Sequence, residues 1–93
     1  MLSKTYQSKL HIKETHVDPI YGRIFEGWIS GDALNVFGSL TQNFAMTSSQ
    51  AIAYKCQVEK HAWEAGQSQW ITADGQPVQN NFQVEIVFDF LQN

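Results

Sequence analysis

Between Thr5 and Thr15 the chain alternates, with Tyr6, Leu10 and Ile12 on one parity and Thr5, Gln7, Lys9, His11, Lys13 and Thr15 on the other. Successive side chains of a strand point to opposite faces, so this period of two predicts a half-buried β-strand. The stretch DPIYG, Asp18 to Gly22, carries the proline and glycine of a reverse turn, and RIFEGWIS after it reads as a second strand that closes a hairpin. This second strand is apolar on both parities, with Phe25 and Ile29 on one and Ile24 and Trp28 on the other. Both of its faces are expected to be covered.

At Gly31-Asp32 the period changes. Leu34, Phe37, Leu40 or Thr41, and Phe44 recur at three- and four-residue spacing behind Asp32 as an N-cap, which predicts a helix weakened by Gly38. The next stretch, TSSQAIAYKCQVEKHAWEAG, fits two conformations, and residues 50–60 are where they compete. As a strand, Ile52, Tyr54, Cys56 and Val58 alternate with Ala53, Lys55, Gln57 and Glu59. As a helix, Thr47 and Gln50 form a capping box, Ala51, Tyr54, Val58, Ala62 and Ala65 make one face, and Gly66 stands at the C-terminal cap. Length and alanine content favour the helix.

Beyond Gly66, QSQWIT and QPVQ flank Ala73-Asp74-Gly75-Gln76, a hairpin signal. The final segment, FQVEIVFDFLQ, sets Phe82, Val84, Ile86, Phe88 and Phe90 on one face against Gln83, Glu85, Val87, Asp89 and Leu91 on the other. A wholly apolar face predicts a strand packed against helices in the middle of the sheet. The order β-β-α-α-β-β describes an α+β fold, a mostly antiparallel sheet of about four to five strands with one or two helices packed on one face.

Ninety-three residues suit a single domain, 1–93, and 43% hydrophobic with 13% aromatic residues is the composition of a folding chain. A core this small gains stability by pairing with a second copy or another protein. The net charge is −3 with only 16% charged residues, and ten Gln and five Asn supply much of the polarity. Residues 1–31 sum to +1 and residues 32–93 to −4. Neither half has the basic footprint that phosphate backbones need, so nucleic-acid binding is disfavoured. The lone cysteine cannot close an intrachain disulfide, MLSKTYQSKLHIK lacks the basic start and apolar run of a signal peptide, and no apolar run approaches the ~20 residues of a membrane span. A soluble cytoplasmic protein is expected.

Candidate chemistry gathers in KCQVEKHAW, where Cys56, Glu59, Lys60 and His61 are close in the chain. Five residues turn a helix through about 140° and reverse the face of a strand, so Cys56 and His61 diverge in either conformation. No catalytic residue is assigned. Cys56 is expected as a small buried residue and Lys60 with Glu64 as a solvated pair. His11 and His16 are again five apart, no metal-ligand spacing occurs, and the glycines never form a phosphate loop, so neither metal nor cofactor is expected. Glu85 and Asp89 lie about 13 Å apart along a strand, too far for shared acid-base work.

Two binding features remain. Lys9, His11 and Lys13, with Arg23 across the hairpin, form a stripe suited to an anion or an acidic partner. Val87 and Leu91 on the last strand, with either Ile24 and Trp28 or Phe25 and Ile29 on the second, place apolar surface on the side of the sheet that should face solvent, which suits a homodimer or protein interface. The leading expectation is therefore a small non-enzymatic protein-interaction module that self-associates through an apolar sheet face. The alternative is a small-molecule binder or modest enzyme whose pocket between helix and sheet is walled by Tyr54, Trp63 and Trp70, with His61 as its titratable group. A second alternative is an acidic antagonist of a nucleic-acid enzyme, although −3 makes a weak field for that role.

Overall fold

The structure, a computed structural model, describes residues 2–32, 37, 40, 44–68 and 70–91. Strands β1 (Leu2–Asp18) and β2 (Gly22–Gly31) form the N-terminal hairpin. Asp18 Oδ1 closes the turn by accepting from the amides of Ile20 at 2.7 Å and Tyr21 at 3.0 Å, and Gly22 adopts the positive φ of 80° that ends it. Strand β3 (Ala45–Thr47) runs directly into helix α1 (Ser48–Gln67); β4 (Trp70–Ile71) turns at Gly75, φ 85°, into β5 (Pro77–Asp89).

Residues 50–60 are helical. Thr47 Oγ1 accepts from the Gln50 amide at 3.4 Å while Gln50 Oε1 accepts from the Thr47 amide at 2.9 Å, the reciprocal capping box that the sequence predicts. Ala51, Tyr54, Val58 and Ala62 are the buried stripe. The helix passes through Gly66 and ends at Gln67, where the Ser68 amide caps the carbonyls of Glu64 and Ala65. Of the other expected helix, Leu34, Gly38 and Thr41 lie outside the described residues, while Phe37 is fully buried and Leu40 half-buried. One α-helix stands among the described residues instead of two.

The fold is α+β, with the strands in one five-stranded sheet of order β3-β2-β1-β5-β4. The sheet is mixed, not mostly antiparallel, because β1 and β5 pair in parallel from Leu2 opposite Val78 to Lys13 opposite Asp89. Path length explains this. Strand β3 pairs with β2 at the level of Phe25, which itself faces Glu14. A helix of 20 residues, about 30 Å long, then carries the chain back over roughly nine residues of strand. Strand β5 therefore begins level with the start of β1 and must run beside it in the same direction.

Helix α1 crosses the sheet on a diagonal: Tyr54 near its start lies over Gly27 of β2, and Gly66 near its end lies over Asn80 of β5. About 30 Å of helix cannot cover 17 strand residues, about 55 Å, and the diagonal withdraws cover from the late part of β5. Phe82, Val84 and Ile86 pack against the core, whereas Phe88 and Phe90 on the same face stay 44% and 48% exposed. Strand β5 also lies next to the sheet edge rather than in its middle, since only the two-residue β4 flanks it.

Two packing details are testable. A Cβ at Gly27 would stand 2.6 Å from the Tyr54 ring, which is anchored by donation of its hydroxyl to the Leu40 carbonyl. Gly27→Ala should therefore cost about 1–3 kcal/mol in chemical denaturation, the range for overpacking a filled core. Asn80 is 1% exposed, and neither its side-chain Nδ2 nor Oδ1 has a partner among the described residues. Removing both orphaned groups in Asn80→Leu should stabilise the fold by about 1–3 kcal/mol on the same measurement.

Candidate functional site

Between helix and sheet the described aromatics pack on one another. Tyr6 stacks on Phe82 at 4.6 Å, Trp70 lies 6.3 Å from each of them, and Phe37 joins Phe82 at 6.0 Å to His61 at 5.3 Å. Of the four expected ligand residues, His61 and Trp70 thus touch one cluster from opposite ends. Tyr54 is buried two helical turns away over Gly27, and Trp63 is exposed on the outer side of α1. Burial pushes the Tyr54 hydroxyl up from its ordinary value, which keeps it a donor. Cys56 is exposed, not buried: it falls between Tyr54 and Val58 in sequence, off the 51-54-58-62 stripe. Lys60–Glu64 is present at 3.9 Å, beside Lys55–Glu59 at 3.1 Å.

The open face of the sheet resolves the choice that β2 posed: Phe25 and Ile29 lie under α1, so Ile24 and Trp28 belong to the other side. His11 stacks on Trp28 at 4.9 Å and shares a hydrogen bond with Ser30 at 2.8 Å. Val87 stands opposite His11 on the next strand. Trp28 and Val87 are thereby brought to either side of one histidine, but Ile24 is buried and Leu91 lies past the end of β5. The surrounding charges are balanced. Lys9 pairs with Glu85 at 3.8 Å, and Lys13 is in register with Glu26 on one side and Asp89 on the other. Arg23 is not part of this stripe, because it shares the parity of Phe25 and reaches Glu14 on the helix side. On this face Trp28 and Val87 are thus ringed by charged side chains.

The sheet edge is more distinctive. Strand β5 is bonded to β1 along its length, yet on its other side, among the described residues, only Pro77 and Val78 pair, with Ile71 and Trp70 of β4. Residues 79–89 therefore present backbone donors and acceptors outward without a strand partner among the described residues. Devices that blunt such edges are sparse here: Glu85 and Asp89 are charged, but the stretch contains no proline and no lysine, and the ladder with β1 has no bulge. Beside the edge lie the half-covered Val84 and Ile86 and the exposed Phe88 and Phe90, the last two stacked at 5.8 Å.

The far end of this edge is fixed by Glu14. Its side chain is 2% exposed and accepts from Arg23 Nε at 2.6 Å, Arg23 Nη2 at 3.2 Å and the Leu91 amide at 3.0 Å. The Arg23 guanidinium in turn lies 5.1 Å above the Phe90 ring, which meets Phe25 edge-on at 6.2 Å. Parity could have exposed this group, because Glu14 follows Leu10 and Ile12 on the buried side of β1. The free edge had no comparable signal, since alternation does not say which strands pair.

Among the described residues no group of three or more His, Cys, Asp or Glu is placed to hold a metal ion, and no helix is long and apolar enough to cross a membrane. Compared with protein-family models, curated proteins and solved structures, the chain finds no match.

Glu14 also gives the fold an acid limit. The Arg23 hydrogen bond above all, then the Leu91 amide and the Arg23 charge, hold its carboxyl below the usual range against the raising effect of burial. Asp18 is lowered likewise by the amides of Tyr21 and Ile20. A carboxylate lowered in the folded state contributes fully above its ordinary range of about 4, and the contribution is lost progressively as the pH falls from there through the lowered folded value. Melting temperatures measured from pH 7 to pH 3 should fall in that window. Glu14→Gln should melt lower at pH 7 and show a flatter acid slope; an unchanged slope would place the acid sensitivity elsewhere.

Proposed function

We propose that this chain is a small protein-interaction module that binds by adding an extended strand to the free edge of β5. The observation that carries the reading is the one-sided bonding of residues 79–89. Backbone groups on that edge supply affinity to any extended chain, and side chains alternating along it supply selectivity. An incoming strand would also bury Val84, Ile86 and Phe88, which α1 leaves partly uncovered. This moves the expected self-association from the open face, where Lys9, Lys13, Glu85 and Asp89 surround Trp28 and Val87, to the edge of the same sheet. No residue is assigned a catalytic role in this reading.

Amide hydrogen exchange tests it. In the single-chain state, amides of residues 8–13 in β1, bonded on both sides, should all exchange slowly. Those of residues 79–89 should alternate, slow where they bond β1 and fast where they face outward, and the fast set should slow on binding. Uniform protection of residues 79–89 in the single chain would mean that the edge is already covered, and would overturn the reading.

A further inference from the structure

We infer that the strand received by β5 is β5 of a second copy, running antiparallel about a two-fold axis at Val84; this rests on the strand-adding reading above. The register follows from the limits of the edge. Strand β4 occupies the edge at Pro77 and Val78, and β5 ends at Asp89. The stretch 79–89 between those limits is symmetric about residue 84, so the one two-fold register that uses all of it pairs each residue with the partner's residue equally far from Val84. Both helices then lie on one side, and the two sheets join into one of ten strands, five from each chain.

Charged side chains agree with that register. On the helix side, Phe82 stands opposite the partner's Ile86, Val84 opposite the partner's Val84, and Asn80 opposite the partner's Phe88. On the open side, Gln83 stands opposite the partner's Glu85, and Gln79 opposite the partner's Asp89, so every carboxylate meets an amide. A two-fold centred on Glu85 instead would oppose two carboxylates directly, an arrangement that cross-strand pairs disfavour. The surface also has area to lose. The chain exposes 6302 Å², about 800 Å² more than a compact monomer of 10.6 kDa, as an elongated sheet does. Its radius of gyration of 16.0 Å likewise exceeds the ~12 Å of a compact chain this long.

Sedimentation equilibrium of the full chain from about 1 to 100 µM should show a mass of twice 10.6 kDa at the upper end. Gln83 is exposed, so its charge can be changed without disturbing the core. Gln83→Glu places two new carboxylates opposite Glu85 and should weaken the dimer about three- to tenfold; Gln83→Lys places ammonium groups there and should tighten it or leave it unchanged. High salt should narrow the difference between the two. A chain that stays single at 100 µM, or a dimer that both substitutions shift alike, overturns the inference. If that chain still shows alternating exchange along β5, the edge remains a strand acceptor for another protein and only the second copy is excluded. If β5 is uniformly protected in the single chain, both readings fall.

Discussion

Strand β1 is hydrogen-bonded along both sides, to β2 from Ser8 to Asp18 and to β5 from Leu2 to Lys13, and the other elements are arranged by that double bonding. A strand held twice has no backbone group left for water between residues 8 and 13, so it forms the centre on which the small core is built. Leu10 and Ile12 are among the least exposed residues of the chain, and Tyr6 carries the aromatic cluster under the end of α1. The parallel half of this arrangement is expensive in connection, because a parallel neighbour requires the chain to travel back before it can pair. Here β3 and α1 make that return. The length of α1 therefore sets the register of β5 as well as the extent of the core.

Local chemistry was legible wherever a residue acts on its near neighbours. Asp18 and Gly22 announce the first turn, Thr47 and Gln50 the start of α1, and Asp74-Gly75 the last turn, because caps and turns are decided within four or five residues. The stripe at 51, 54, 58 and 62 was readable as a helical face for the same reason. Cys56 shows where residue type misleads: free cysteines are commonly buried, but position 56 lies off the 51-54-58-62 stripe of the helix and turns to solvent.

What alternation could not express is adjacency. Phe82, Val84, Ile86, Phe88 and Phe90 read as one uniform apolar face, yet cover depends on where a diagonal helix ends, and that divides them into packed and exposed groups. Parallel pairing of β5 with β1 was equally invisible, since β1 and β5 are separated by the whole intervening chain. Glu14 marks the boundary between the two kinds of information. Its place on the buried parity is a local fact, while its partners, Arg23 from the hairpin and the Leu91 amide from beyond β5, become neighbours only in the folded sheet. The register shift between Glu14 and His16 lies at this point, where a bulge increases local twist and lets Arg23 reach back along the hairpin.

The same economy of length connects the core to the surface. Helix α1 starts over Gly27, which is level with Phe88 across β1, and reaches β5 only at Asn80, where it returns the chain to the pairing of Leu2 with Val78. Keeping that pairing leaves β5 with an apolar face covered for only part of its length and an outer side that, among the described residues, is bonded only at Pro77 and Val78. Both deficits fall on one strand and extend in the same direction, toward Asp89. A second strand laid along residues 79–89 corrects them together, because the backbone it pairs and the side chains it covers belong to the same residues. An apolar cover over the open face would correct neither. It would reach Trp28 and Val87 while desolvating the Lys9–Glu85 pair and the charges around Lys13, a cost that burial of two half-exposed side chains offsets poorly. For the proposed partner strand, the edge therefore offers more than the face.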